Sequence, residues 1–130
     1  MKAFDHRELD QYKAEAKERW GSTEAYREHA EKTKGYSKQT WNNLVEMMND
    51  IFAEFAACMK NGKTPNSTEV QKLVGMLQNH ITQNYYHCTN EILSGLGQMY
   101  ALDERFKRNI DKHADGTAAF VCEAITVYCC

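Results

Sequence analysis

Residues 37–59 read Ser-Lys-Gln-Thr-Trp-Asn-Asn-Leu-Val-Glu-Met-Met-Asn-Asp-Ile-Phe-Ala-Glu-Phe-Ala-Ala-Cys-Met. Trp41, Leu44, Val45, Met48, Ile51, Phe52, Phe55 and Met59 recur every three or four positions, the spacing that gathers side chains on one face of an α-helix. Ser37 offers a hydroxyl to the first free amides, and Asn61-Gly62 ends the pattern with residues that tolerate a left-handed turn. A segment this long and periodic can only be a helix with a broad apolar face, and its partners lie in the rest of the chain.

The same period continues on both sides. Downstream, Pro65-Asn66-Ser67 opens a further helix, with Glu69 as capping-box partner of Asn66 and a stripe of Val70, Leu73, Val74, Leu77 and Ile81. Another helix follows from Thr89 to about Tyr100, with Ile92, Leu93, Leu96 and Met99 inward. A short one starts after Asp103 around Phe106 and Ile110, and a last one after Asp115 carries Phe120, Val121, Ala124, Ile125 and Tyr128. Upstream, weaker patterns run from about Arg7 to Trp20 and from Ser22 to about Thr33. The chain has one proline, Pro65, and no strand-like alternation with hairpin turns. The expectation is an all-α domain of about seven helices over residues 1–130.

Composition sets the class. The chain has 130 residues, a length that suits one domain. A net charge of −2 with mixed signs and no basic block argues against nucleic-acid binding by this segment. It lacks the long apolar run of a membrane span and the apolar core of a leader at its start, so a cytoplasmic location is expected. The five cysteines are odd in number and form no Cys-x-x-Cys pair, which speaks against a disulfide framework or a zinc site. No metal or cofactor is expected.

Residues 1–36 differ in kind from the rest. They are rich in charge and poor in aliphatic side chains, with Phe4, Leu9, Tyr12, Trp20, Tyr26 and Tyr36 as their main apolar groups. Helices with so little to bury are marginal alone, so this segment is expected to act as a mobile lid on a core of residues 37–130.

The chemistry points to residues 84–116. Cys88 follows Tyr85, Tyr86 and His87 where one helical pattern stops and the next starts. A thiol beside a helix N-terminus is expected to have a lowered pKa and to attack electrophiles such as a dehydroamino acid. The alternative is a small hydrophobe packed at a junction. Tyr85, Tyr86, Tyr100 and Phe106, with Trp41 from the long helix, supply stiff aromatic surface for a flat ligand. Gly95 and Gly97 either permit close helix packing or open space for a ligand. His80 near an apolar stripe raises a haem reading, although a satisfied core histidine is the commoner case. His29 and His113 carry no signal. No nucleophile–base–orienter set and no phosphate loop is visible, so no enzymatic activity is expected.

Several motifs in order carry a resemblance. Glu18-Arg19-Trp20-Gly21-Ser22-Thr23-Glu24-Ala25-Tyr26 is followed by Tyr36-Ser37-Lys38 with Trp41, Met59 with Gly62, and Pro65 with Ser67. Tyr86 with Cys88, Leu96 with Met99-Tyr100, Asp103 with Arg105-Phe106, and Gly116-Thr117-Ala118 with Phe120, Ala124 and Ile125 complete the set. Together they resemble the TipAS antibiotic-recognition domain over nearly the whole chain.

The resemblance implies a globin-like all-α fold without haem, the effector half of a MerR-type transcriptional activator. It also implies an N-terminal DNA-binding region and dimerisation helix that this sequence lacks, and a homodimeric full-length regulator. Family members bind bulky antibiotics, thiopeptides in particular, in a cleft that N-terminal helices close, and a cysteine can add to a dehydroalanine of the ligand. Carried over, Cys88 is the candidate covalent anchor. Tyr85, Tyr86, Trp41, Leu96, Met99, Tyr100 and Phe106 line or border the cleft, and Trp20 and Tyr26 close over it. The alternative function is a free-standing protein that sequesters the drug without DNA binding.

Overall fold

Among the described residues the polypeptide winds into helices where the apolar period predicts them, because each stripe has another to cover it. The computed structural model describes residues 24–130. Among these it shows α1 (Glu24–Thr33), α2 (Lys38–Lys60), α3 (Thr68–Asn84), α4 (Asn90–Leu102), α5 (Glu104–Asp111) and α6 (Thr117–Cys129), with no strand. The expected helix from Arg7 to Trp20 lies outside the described residues.

Each turn between helices has a local cause. Ser37 Oγ accepts the Thr40 amide at 3.1 Å and starts α2. Gly62, at φ +79°, supplies the left-handed step that follows the α2 terminus. The cap of α3 is Ser67, whose Oγ accepts from the Val70 amide at 3.4 Å. The capping box expected between Asn66 and Glu69 does not form: Asn66 Oδ1 accepts from Thr64 Oγ1 at 2.6 Å, and Glu69 pairs with Lys63. Thr89 caps α4 through the Ile92 amide, and Asp103 caps α5 through the Arg105 amide. The start of α6 has no cap from its own flank. Gly116 is left-handed there, and Asp111 Oδ1 reaches from the end of α5 to take the Ala118 amide at 2.8 Å.

Helix α6 is the hub, packing against α2, α3, α4 and α5. Phe52, Phe55, Val70, Val74, Leu77, Leu93, Ile110, Val121 and Ile125 are buried around it. Burial of each such side chain stabilises by about 1.5–3 kcal/mol. The closest approach is between α4 and α6. A Cβ built on Gly97 would stand 3.1 Å from both Cδ1 and Cγ2 of Ile125, whereas one on Gly95 would meet nothing within 4 Å. Packing is therefore the reason for Gly97 and not for Gly95. No helix of the described residues is long and apolar enough to cross a membrane.

Candidate functional site

The segment between α3 and α4 carries the aromatic residues singled out above, and the fold places α2 beside it and α1 over it. Trp41, from the first turn of α2, lies 6.0 Å from Tyr85, centroid to centroid, with the rings tilted by 30°. Both are half-buried, as is Tyr86. Beneath them the buried His80 meets Tyr85 edge-on, with ring centroids 5.8 Å apart. His80 is thus engaged in packing. Its Nδ1 lies 3.2 Å from Asn84 Nδ2. Burial holds its pKa below the ordinary histidine value. Burial, and secondarily the neighbouring Tyr36 hydroxyl, pushes the Tyr85 phenol up to about 12.

The residue at the centre of this box carries no signal in the sequence pattern. His29 of α1 stacks on Tyr85, 5.8 Å between centroids and 10° between planes. It lies 6.3 Å from Trp41 and 6.2 Å from Tyr86. Tyr36, between α1 and α2, adds an edge against Trp41 at 5.6 Å. Such spacings are in the range where aromatic pairs attract beyond simple area burial, by about 0.5–1.5 kcal/mol each.

Three polar contacts fasten α1 to the same segment. Lys32 Nζ donates to the Thr82 carbonyl at 2.6 Å, and the Tyr36 hydroxyl donates to the Asn84 carbonyl at 2.6 Å. Both acceptors belong to the last turn of α3, whose carbonyls have no partner within the helix. Glu28 Oε1 accepts the His87 amide at 2.8 Å and pairs with Lys32 at 3.8 Å. A cationic group at a helix C-terminus and a carboxylate on free amides are both electrostatically favourable.

Cys88 departs from expectation. It precedes the cap Thr89, is only 2% exposed, and belongs to the main core cluster. Its amide donates to Thr82 Oγ1, its carbonyl accepts from Gln78 Nε2, and its Sγ lies 3.8 Å from the Thr89 carbonyl oxygen. Burial, with the nearby Cys129 as a second cause, pushes the thiol up to about 11. The lowered pKa expected from the helix dipole is therefore corrected: the sulfur faces a carbonyl oxygen rather than free amides, in a site poor in water. His87 is exposed and contributes its backbone to Glu28.

The remaining predicted site residues divide. Tyr100 and Phe106 are core residues. Tyr100 sits edge-on to Phe52 at 5.5 Å and 5.8 Å from Phe106. Leu96 and Met99 are partly buried against that core. Tyr26 is half-buried on α1, and Trp20 lies outside the described residues. The structure thus gathers Trp41, Tyr85 and Tyr86 into one box, adds His29 and Tyr36 to it, and sets Tyr100 and Phe106 in the interior. Two shallow hollows, one of 310 Å³ beside Cys58 and one of 420 Å³ beside Cys122, are lined by no aromatic residue. All five cysteines are free thiols, and no metal-binding cluster of His, Cys, Asp and Glu occurs among the described residues.

Comparison with known proteins follows the same outline. Residues 12–128 match the TipAS antibiotic-recognition domain. The HTH-type transcriptional activator TipA of Streptomyces coelicolor is 37% identical over 125 residues, covering 96% of this chain and 49% of that protein. The HTH-type transcriptional activator mta of Bacillus subtilis is 38% identical over 118 residues, 91% of this chain and 45% of that protein. The chain spans about half the length of the curated relatives it matches. Among solved structures, TipAS in complex with nosiheptide, from a thiopeptide antibiotic multidrug resistance system of Streptomyces lividans, superposes with a TM-score of 0.83. It is 38% identical and covers 92% of this chain and 84% of that one. The antibiotic binding domain of a TipA-class multidrug resistance transcriptional regulator gives a TM-score of 0.63 at 31% identity, over 68% of this chain and 95% of its own. The all-helical fold is shared with both.

Proposed function

The chain belongs to the TipAS antibiotic-recognition domain family, and on that premise we propose that it is a ligand-binding effector domain for bulky thiopeptide-like antibiotics. The observation that carries this reading is the aromatic box of Trp41, Tyr85 and Tyr86 with α1 fastened over it. Stiff aromatic rings with polar edges suit a large, flat, uncharged ligand. The relative solved with nosiheptide has the same fold, which supports a thiopeptide as the ligand class.

Residues 1–36 act as the lid and residues 37–130 as the core. Ligand contact is made by Trp41, Tyr85, Tyr86 and the Tyr26 face of α1, with Trp20 closing from outside the described residues. Leu96, Met99, Tyr100 and Phe106 form the packed layer that holds the site. A polar helix held by a few contacts opens at low cost, and a ligand that bridges lid and core shifts the balance toward closure. In a longer regulator resembling the two HTH-type relatives, closure would be passed to DNA through the chain N-terminal to the lid, in a homodimer.

Cys88 is the candidate anchor for capture. The thiol gives its proton to water, its Sγ bonds to the β-carbon of a dehydroalanine as the carbon–carbon π bond breaks, and the α-carbon takes a proton from water. Because the thiol is buried and held protonated in the closed form, addition follows an opening of the segment between α3 and α4 and is slow at neutral pH. Intact mass after incubation with nosiheptide tests this step: one added ligand with the native chain and none with Cys88→Ala is expected. An equal gain in both would remove Cys88 from the role, and reversible binding would still be measurable by titration.

A further inference from the structure

We propose that the last turn of α6, latched through Tyr128 onto Gln78 of α3, is the gate to Cys88, so that Gln78 and Tyr128 are positioning residues that set when this thiol meets an electrophile. The use of the gate in antibiotic capture rests on the reading of Cys88 as the anchor; the gate itself does not.

Gln78 is the joint. Its Nε2 donates to the Cys88 carbonyl at 2.9 Å and to Asn90 Oδ1 at 2.8 Å, and its Oε1 accepts from the Tyr128 hydroxyl at 3.0 Å. One amide thus ties α3 to the Cys88 turn, to the start of α4 and to the end of α6. The reverse orientation would set its oxygen against the Cys88 carbonyl oxygen. The Tyr128 ring lies on α3 itself: a Cβ built on Gly75 would stand 3.8 Å from the hydroxyl oxygen and 4.0 Å from Cε2. Next along α6, Cys129 packs against the core cluster that holds Cys88, and its Sγ lies 3.3 Å from the Asn90 carbonyl oxygen. Cys129 is also the second cause, after burial, of the raised Cys88 pKa, so the two thiols are neighbours. Residues 128 and 129 therefore cover the turn from Cys88 to Asn90.

This turn can lift while the rest of the helix stays. Helix α6 is clamped just before it, where the buried Ile125 meets Gly97. Beyond Ile125 the helix leaves the core: Thr126 and Val127 are exposed, and Tyr128 and Cys129 are half-buried. Fraying of a last helical turn is a low-energy opening, and breaking the Tyr128–Gln78 bond leaves the clamp at Ile125 intact. On the other side of Cys88, Thr82 Oγ1 takes its amide at 3.1 Å, a contact that does not involve α6.

The test is a pulse of iodoacetamide on the full chain, mapped by mass at each cysteine. The thiol loses its proton to water, and the thiolate displaces iodide from the reagent's methylene carbon. Tyr128→Phe keeps the ring on Gly75 and removes the latch. Cys88 should then react about two- to tenfold faster, the range that one net hydrogen bond sets on an opening equilibrium, while Cys58 of α2 keeps its native rate. Gln78→Leu should accelerate Cys88 at least as much, and the double variant should match Gln78→Leu, since the tyrosine hydroxyl then has nothing more to release. In each variant the pH midpoint of the Cys88 reaction should fall from near 11 toward 9.0. An unchanged Cys88 rate in Tyr128→Phe, rates that multiply in the double variant, or an equal gain at Cys58 overturns the gate. If Gln78→Leu fails to fold, Tyr128→Phe with its Cys58 reference decides alone. Nosiheptide separates the two readings: if Cys88 alkylates faster in Tyr128→Phe yet gains no nosiheptide mass, the gate stands and capture falls.

Discussion

The two glycines of α4 show how opposite effects meet at neighbouring positions. Glycine in a helix costs about 1 kcal/mol relative to alanine. At Gly95, where a methyl meets open space, Gly95→Ala should raise stability by about 0.5–1 kcal/mol in chemical denaturation. At Gly97 the methyl would press on Ile125 at 3.1 Å, and overpacking of about 1–3 kcal/mol outweighs the helix gain. Gly97→Ala should therefore lower the midpoint, and a rise would show that α4 and α6 are free to shift apart. Cys88 gives the pH-dependent counterpart. With its thiol raised from 9.0 to about 11, the reactive thiolate at pH 8 is about a hundredfold scarcer than for an ordinary cysteine. Alkylation of Cys88 should be slow at pH 8 and climb steadily toward pH 11, whereas the exposed Cys130 reacts early; mass mapping of a pulse of iodoacetamide distinguishes them. The same shift makes the neutral thiol a source of folded-state stability below pH 9 that is lost as pH rises through 11. None of this was legible in the motif. The sequence places Cys88 beside a helix start, but only the packing of the segment between α3 and α4 into the core decides that burial outweighs the dipole.

At the scale of elements, what is local was legible and what is tertiary was not. The caps Ser37, Thr89 and Asp103 and the apolar stripes follow from neighbours a few residues apart, so their helices could be placed from the sequence. The α6 start was harder, since its amide is served by Asp111 from another helix. Asp103 illustrates a cap with a charge. Its side-chain hydrogen bond to Arg105 holds its carboxyl below the ordinary value. The carboxylate thus contributes stability above the usual aspartate pKa, and the contribution fades as pH falls through the depressed folded value. Asp103→Ala should cost about 1 kcal/mol at neutral pH, with a smaller gap to the native chain in acid. His29 was invisible for the same tertiary reason: a lone histidine in a charged helix has no periodic signal, and its role comes from rings on other elements, Trp41, Tyr85 and Tyr86. The clasp makes a prediction for α1 as a unit. Tyr36→Phe with Lys32→Met removes two bonds to the end of α3, and amide exchange over residues 24–36 should quicken while α2 to α6 keep their protection. Unchanged exchange over residues 24–36 would mean that α1 is held by something other than the clasp.

At the scale of the whole molecule, a hub of packed helices meets α1, the proposed cover. Helix α6 ties α2, α3, α4 and α5 into one core, and the ligand residues named from sequence fall on both sides of a line that only the fold draws. Tyr100 and Phe106 belong to the interior, while Trp41, Tyr85 and Tyr86 face α1. The family pattern identified which residues recur in order, but not which of them stand at the surface, because motif spacing carries no depth. The central claim is that a thiopeptide binds in the box beneath α1. An amide and indole NMR titration of the labelled protein with nosiheptide tests it directly. The largest changes should fall on Trp41, Tyr85, Tyr86 and residues 28–36. Changes that are absent, or that centre on the hollow beside Cys122, would contradict it.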